Sequence, residues 1–170
     1  MPPADRTAGR DRMTITLTIN GTRRTVDIDP GEKLLDLLRR EGVMGVKVGC
    51  GSGDCGACAV LVDGRAVNSC LLYAAKADGA EVVTIEGLER DGALHPVQEA
   101  FLDEGGIQCG YCTPGMVISA VDLLSRNRDP SEEEIRLALS GNLCRCTGYT
   151  KQIQAVRKAV ERGRGGGRDD

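Results

Sequence analysis

The stretch Gly45-Val46-Lys47-Val48-Gly49-Cys50-Gly51-Ser52-Gly53-Asp54-Cys55-Gly56-Ala57-Cys58, answered after eleven intervening residues by Cys70, decides how this chain reads. Its C-x4-C-x2-C spacing with a distant fourth cysteine is the plant-type pattern for a [2Fe–2S] cluster. Cluster sulfur carries negative charge and accepts hydrogen bonds, so the loop must wrap closely with its amides pointing inward. Gly49, Gly51, Gly53 and Gly56 supply the freedom for that wrap, because a residue without Cβ takes positive φ at little cost. Four thiolates also suit structural zinc. Zinc ribbons, however, usually bring two C-x2-C knuckles, and this stretch has only Cys55/Cys58.

The flanking residues read as a small sheet. Met13 to Ile19 alternates Ile15, Leu17, Ile19 against Thr14, Thr16, Thr18, the period of a half-buried strand. Asn20-Gly21 is a tight-turn signal, and Thr25 to Ile28 returns. Leu34, Leu35 and Leu38 recur at helical spacing. Val60–Val67 around Asp63-Gly64 reads as a second hairpin, Leu71–Ala75 as a short helix and Val82–Ile85 as a last strand. This pattern predicts an α+β domain over residues 13–88, of the β-grasp ferredoxin-like kind, with one helix on a mixed sheet. Strand order is left open.

Glu86 to Ala93 reads as a linker, after which the period changes. His95-Pro96 opens a helix carrying Val97, Ala100 and Phe101, and Gly105-Gly106 stops it. Thr113-Pro114 opens a second helix, with Val117, Ala120, Val121 and Leu124. Ser131 and Glu134 form a capping box for a third, with Ile135, Ala138 and Leu139. A fourth carries Ile153, Val156 and Val160. Helix, cysteine loop, helix therefore occurs twice over residues 94–162, as in a four-helix bundle with both loops at one end. Cys109/Cys112 and Cys144/Cys146 would then converge. A C-x-C bite is tight for zinc, and a second [2Fe–2S] centre is the preferred reading.

The eight cysteines split into 50/55/58/70 and 109/112/144/146. Residues 1–12 lack the apolar core of a secretory signal, and no stretch approaches membrane-spanning length. A reducing, cytoplasmic setting and metal rather than disulfides are expected. With no Trp and a single Phe101, the core is short of large apolar side chains, and bound metal would add folding free energy. A net charge of −3 argues against a general polyanion or nucleic-acid partner. Residues 1–12 are expected to form a disordered leader and 163–170 a flexible tail.

Three motifs resemble one family: the 49–58 stretch, Gln108-Cys109-Gly110-Tyr111-Cys112-Thr113-Pro114-Gly115, and Gly141-Asn142-Leu143-Cys144-Arg145-Cys146-Thr147-Gly148-Tyr149. They look like the small iron–sulfur subunit of the molybdenum hydroxylases (xanthine dehydrogenase, aldehyde oxidoreductase, carbon monoxide dehydrogenase). The likeness runs from about residue 13 to 162. Asp63–Cys70 looks closest to the 4-hydroxybenzoyl-CoA reductase branch. The resemblance implies an oxidoreductase subunit that does no substrate chemistry itself. It implies electron transfer between a molybdopterin cofactor on a large subunit and FAD on a medium subunit, through two [2Fe–2S] clusters, in a dimer of heterotrimers. It also implies that Cys50, Cys55, Cys58 and Cys70 ligate the cluster toward the flavin. Cys109, Cys112, Cys144 and Cys146 would ligate the cluster nearest the pterin, with Gln108 and Cys146 as pterin contacts. Val48 and Ala59 depart from the usual Glu and Thr or Ser, and Thr150–Ile153 differs from the usual run.

Other residues have plainer readings. His95 reads as a helix cap rather than a ligand. Tyr111 and Tyr149 pack beside the second cysteine loop or touch a partner, Arg145 faces solvent or offsets cluster charge, and Asp54 caps a turn. Two other functions fit the thiols: a zinc-stabilised interaction module and a free two-cluster ferredoxin. Gln108 and the Gly148-Tyr149 loop argue against the free ferredoxin.

Overall fold

The computed structural model describes residues 12–165. The expected leader, apart from Arg12, and the chain beyond Gly165 lie outside the described residues. The strands are β1 (Met13–Ile19), β2 (Thr22–Ile28), β3 (Ala59–Val62), β4 (Arg65–Asn68) and β5 (Glu81–Val83). The α-helices are α1 (Leu34–Arg40), α2 (Pro96–Asp103), α3 (Thr113–Arg126), α4 (Glu132–Leu139) and α5 (Thr150–Gly165).

The sheet is mixed, in the order β2-β1-β5-β3-β4, and β1 with β5 is its parallel pair. Asn20 and Gly21, at φ 48° and 76°, make the β1–β2 turn with both central residues left-handed. Asp63-Gly64 does the same for β3–β4. The short helix expected at Leu71–Ala75 is instead a 3₁₀ turn at Ala74–Ala77. The last strand stops at Val83, since Ile85–Leu88 forms another 3₁₀ turn.

Two cores share the sheet. Ile15, Leu17, Ile19, Ile28, Val60 and Val82 bury one face against Leu34, Leu35, Leu37 and Leu38 of α1. Each fully buried Leu there contributes roughly 1.5–3 kcal/mol over an exposed one. The opposite face, through Ala59 and Leu61, packs on the core of the helical half with Phe101, Met116, Val117, Ile135 and Val156. Strand β3 is thus covered on both sides, which is why Ala59–Val62 carries no polar residue. Helix α3 lies on β3 and β4, and the four helices of residues 96–165 contact in a ring: α2 on α3, α3 on α4, α4 on α5, α5 on α2.

The segment expected as a linker is ordered and packed. Leu88 is buried, and Asp91-Gly92 makes a third left-handed turn bridged by Arg90 and Ala93. Helix α5 continues to Gly165, three residues into the expected tail. Arg162 pairs with Asp103 and Glu99 of α2 and holds its last turns. Among the described residues no helix is long and apolar enough to cross a membrane.

Candidate metal centres

The first cysteine loop is built on α1 and β3. The N–H groups of Leu34 and Leu35, which have no partner inside the helix, donate to the carbonyls of Leu72 (2.8 Å) and Ser69 (3.2 Å). This fixes the segment carrying Cys70. Ser69 is fully buried, and its hydroxyl donates to the Cys58 carbonyl at 2.7 Å. From the other side, Arg39 reaches the carbonyls of Met44 and Val46, and Glu86 accepts from the Gly45 N–H.

Inside this frame the amides do point inward. The Cys50 sulfur accepts N–H bonds from Ser52 (3.4 Å), Asp54 (3.2 Å) and Cys55 (3.4 Å), and the Cys55 sulfur accepts one from Cys50 (3.3 Å). Gly51, Gly53 and Gly56 take positive φ. Gly49 serves a different need, because a Cβ there would lie 2.4 Å from the Cys55 sulfur.

The Cys50 thiol is lowered to about 6, first by the Ser52 side chain and then by the N–H groups of Ser52 and Cys55. Burial, then the neighbouring Cys58 thiol, pushes Cys70 up to about 11. Cys50 also acts on Cys70 through its charge, so the thiols of this group lie in one another's field.

The second loop pair has the same character. Burial, then the Cys144 thiol, pushes Cys112 up to about 12. Burial opposes the Cys144 thiolate, yet its pKa is lowered by the Thr147 hydroxyl and the N–H groups of Cys146 and Thr147. Thr147 Oγ1 donates to the Cys144 sulfur at 3.1 Å. Cys146 is raised, first by Cys109. The four residues therefore come together although α3 and α4 separate the pairs. Cys112 is buried and Cys144 partly so, whereas Cys109 and Cys146 are exposed. Gln108 is exposed beside that outer pair.

The sulfurs fall into interacting pairs, Cys50/Cys55 and Cys58/Cys70, then Cys109/Cys146 and Cys112/Cys144. A two-iron cluster takes a pair of thiolates at each iron, and each set of four supplies two such pairs. Adjacent buried thiols with raised pKa values also need nearby positive charge before all can ionise, and bound metal supplies it. The donor sets fit [2Fe–2S] clusters.

The two loops touch directly. Leu143 N–H donates to the Cys55 carbonyl at 2.9 Å, and Asn142 Nδ2 donates to the Gly56 carbonyl at 3.1 Å. Tyr111 Oη donates to the carbonyl of Val48, so Tyr111 ties the second loop to the first. The departure at Ala59 faces the helical core. Tyr149 Oη accepts from the Cys144 N–H at 2.7 Å and donates to the Asn142 carbonyl at 3.2 Å. His95 is a cap: its Nδ1 accepts from Val97 N–H, and Gln98 completes a capping box. Asp54 accepts from the Ser52 hydroxyl at 2.5 Å.

Asn142 is 2% exposed, and its partner Gly56 lies 86 positions away, beyond the reach of any local sequence signal. Asp122, 8% exposed, pairs with Arg126 at 2.7 Å and with Arg65 of β4 at 3.3 Å. It links the halves, and only a lone acid inside an apolar stripe signals it.

Comparison with known proteins agrees. A family model described as "2Fe-2S iron-sulfur cluster binding domain" matches residues 17–84, and one described as "[2Fe-2S] binding domain" matches residues 84–157. The chain is 50% identical over 153 residues to the nicotinate dehydrogenase small FeS subunit of Eubacterium barkeri, covering 89% of this chain and 98% of that one. It is 46% identical to the xanthine dehydrogenase iron-sulfur-binding subunit of Escherichia coli O157:H7, covering 86% and 93%. Among solved structures, quinoline 2-oxidoreductase from Pseudomonas putida 86 superposes with a TM-score of 0.86 at 42% identity, covering 91% of this chain and 98% of that one. The chain belongs to the small iron–sulfur subunits of the molybdenum hydroxylase family of oxidoreductases.

Proposed function

We propose that this chain is the electron relay of a molybdenum hydroxylase complex. Residues 13–88 form its β-grasp ferredoxin-like domain and 94–162 a four-helix bundle. Cys50, Cys55, Cys58 and Cys70 hold one [2Fe–2S] cluster; Cys109, Cys112, Cys144 and Cys146 hold the other. Each cluster, when bound, takes up and releases one electron at a time. Gln108 and Cys146 face the molybdopterin of a large subunit, and the Cys50 loop faces the FAD of a medium subunit. The working assembly is a cytoplasmic dimer of heterotrimers, and substrate is transformed on the large subunit.

The observation that carries this reading is the meeting of the loops: the residue before Cys144 is hydrogen-bonded to the backbone of Cys55. Two one-electron sites joined by a short path of covalent and hydrogen bonds make a conductor. The exposed outer pair Cys109/Cys146 and the exposed Cys50 provide its two ends. A zinc module needs no such bridge.

The test is flavin reduction by substrate in the complex carrying Cys146→Ser or Cys58→Ser. Each variant should lose or shift one cluster, leave the other, and slow flavin reduction sharply. Unimpaired flavin reduction in both would defeat the route.

A further inference from the structure

We propose that Asn142 and Tyr149 are positioning residues that set the geometry of electron passage between the two four-thiol sites. The inference rests on the relay function proposed for the chain, and it concerns side chains that hold no metal.

Asn142 is 2% exposed. Its Nδ2 donates to the Gly56 carbonyl at 3.1 Å, and its own N–H is taken by the Leu139 carbonyl at 3.0 Å. The amide occupies a slot between two glycines. A Cβ on Gly56 would come within 2.5 Å of Nδ2, and one on Gly115 within 2.9 Å. The slot therefore admits the amide because both walls are bare backbone.

Tyr149 closes the circuit. Its hydroxyl accepts from Cys144 N–H and donates to the Asn142 carbonyl. Its φ is 66°, a region that residues other than glycine seldom enter. That backbone conformation is retained where the hydroxyl bridges a thiol-bearing residue to Asn142, and such outliers concentrate at functional sites.

The chain of bonds runs Gly56, Asn142, Tyr149, Cys144. It lies beside the direct bond from Leu143 to Cys55 and fixes both neighbours of that bond. Gly56 follows Cys55, and Asn142 precedes Leu143. Holding those flanks sets the distance and angle across which one electron leaves the second site and is taken up by the oxidised first site. No proton moves and no bond forms or breaks in that step.

The test uses the assembled complex with Asn142→Asp and, separately, Tyr149→Phe. Aspartate keeps the shape but has no N–H for the Gly56 carbonyl, and it sets a carboxylate oxygen against it. Phenylalanine keeps the ring and removes the bridge. Low-temperature EPR reads the magnetic splitting between the two reduced clusters, and rapid mixing reads electron passage between them. Both variants are expected to keep both cluster signals, with altered splitting and passage slowed about tenfold or more, the usual scale for removing an outer partner of a metal site. Wild-type splitting and rate in both variants would overturn the proposal. So would loss of the second cluster in Asn142→Asp with Tyr149→Phe unchanged, since that is local loop support. Absence of two cluster signals from the unmodified complex would instead count against the relay function itself, so the two failures are told apart.

Discussion

The backbone N–H of Leu143 donates to the carbonyl oxygen of Cys55 at 2.9 Å, which joins the two cysteine loops without any side chain. The approach depends on the backbone beside it. A Cβ on Gly115 would lie 2.2 Å from the Gly56 carbonyl oxygen. Gly115→Ala should therefore push the halves apart and cost roughly 1–3 kcal/mol, the scale of overpacking. Gly141→Ala, with nothing within 4 Å of its Cβ, should change stability by less than about 0.5 kcal/mol. Thermal unfolding of the two variants distinguishes them, and equal melting temperatures would contradict the docking described here.

His95 gives a pH dependence with a definite sign. Burial, and then Arg90, hold its pKa below the ordinary 6.5. The unfolded chain binds that proton more readily, so stability is lost as pH falls below 6.5 toward the folded pKa. Protonating Nδ1 also removes the acceptor for Val97 N–H. His95→Asn keeps a capping acceptor that does not titrate. The difference in melting temperature between the two proteins should thus widen in favour of His95→Asn from pH 7 to pH 5, by up to about 1 kcal/mol equivalent. A difference that is flat with pH would remove His95 from the account.

The salt link between the halves separates into unequal parts. Arg65 is a largely exposed arm, whereas the Asp122 carboxylate is nearly buried. Arg65→Ala should cost less than about 1 kcal/mol, as exposed ion pairs do. Asp122→Ala removes the carboxylate that both Arg126 and Arg65 pair with and should cost about 1–3 kcal/mol. Denaturant titration of both variants decides, and the reverse order would mean that the link matters through Arg65.

Thr147 touches a sulfur of the second cysteine group. Its hydroxyl donates to the Cys144 sulfur at 3.1 Å. Hydrogen bonds to sulfur stabilise the more negative, reduced state. Thr147→Val should make the second site's potential more negative, on the order of tens of millivolts, and leave the first in place. Redox titration followed by EPR reads both sites in one sample; a shift of the first site alone would refute the assignment of sulfurs to sites.

What could be read from the chain, and what could not, follows from the range of the interactions. The Asn20-Gly21 turn, the Ser131/Glu134 capping box and the His95 cap are local, and each signal lies within a few residues of its effect. The grouping of thiols was legible for the same reason within each loop. The meeting of Cys109/Cys112 with Cys144/Cys146 came from helix topology. The strand order was not legible, because β1 pairs with β5 across more than sixty residues. Nor was the double burial of β3: a run of Ala59, Val60, Leu61, Val62 has no polar face to orient it. The stretch 86–93 reads as a linker because its turn residues are polar, yet Leu88 is buried in the helical core, and Gln98 of α2 holds the Ile85 carbonyl just before the stretch.

The most direct measurement is metal and labile-sulfide content of the purified protein, with EPR after reduction. The account predicts a brown protein with about two irons and two sulfides for each four-thiol site, and two distinguishable paramagnetic signals. A colourless protein retaining zinc, or iron with only one signal, would contradict it.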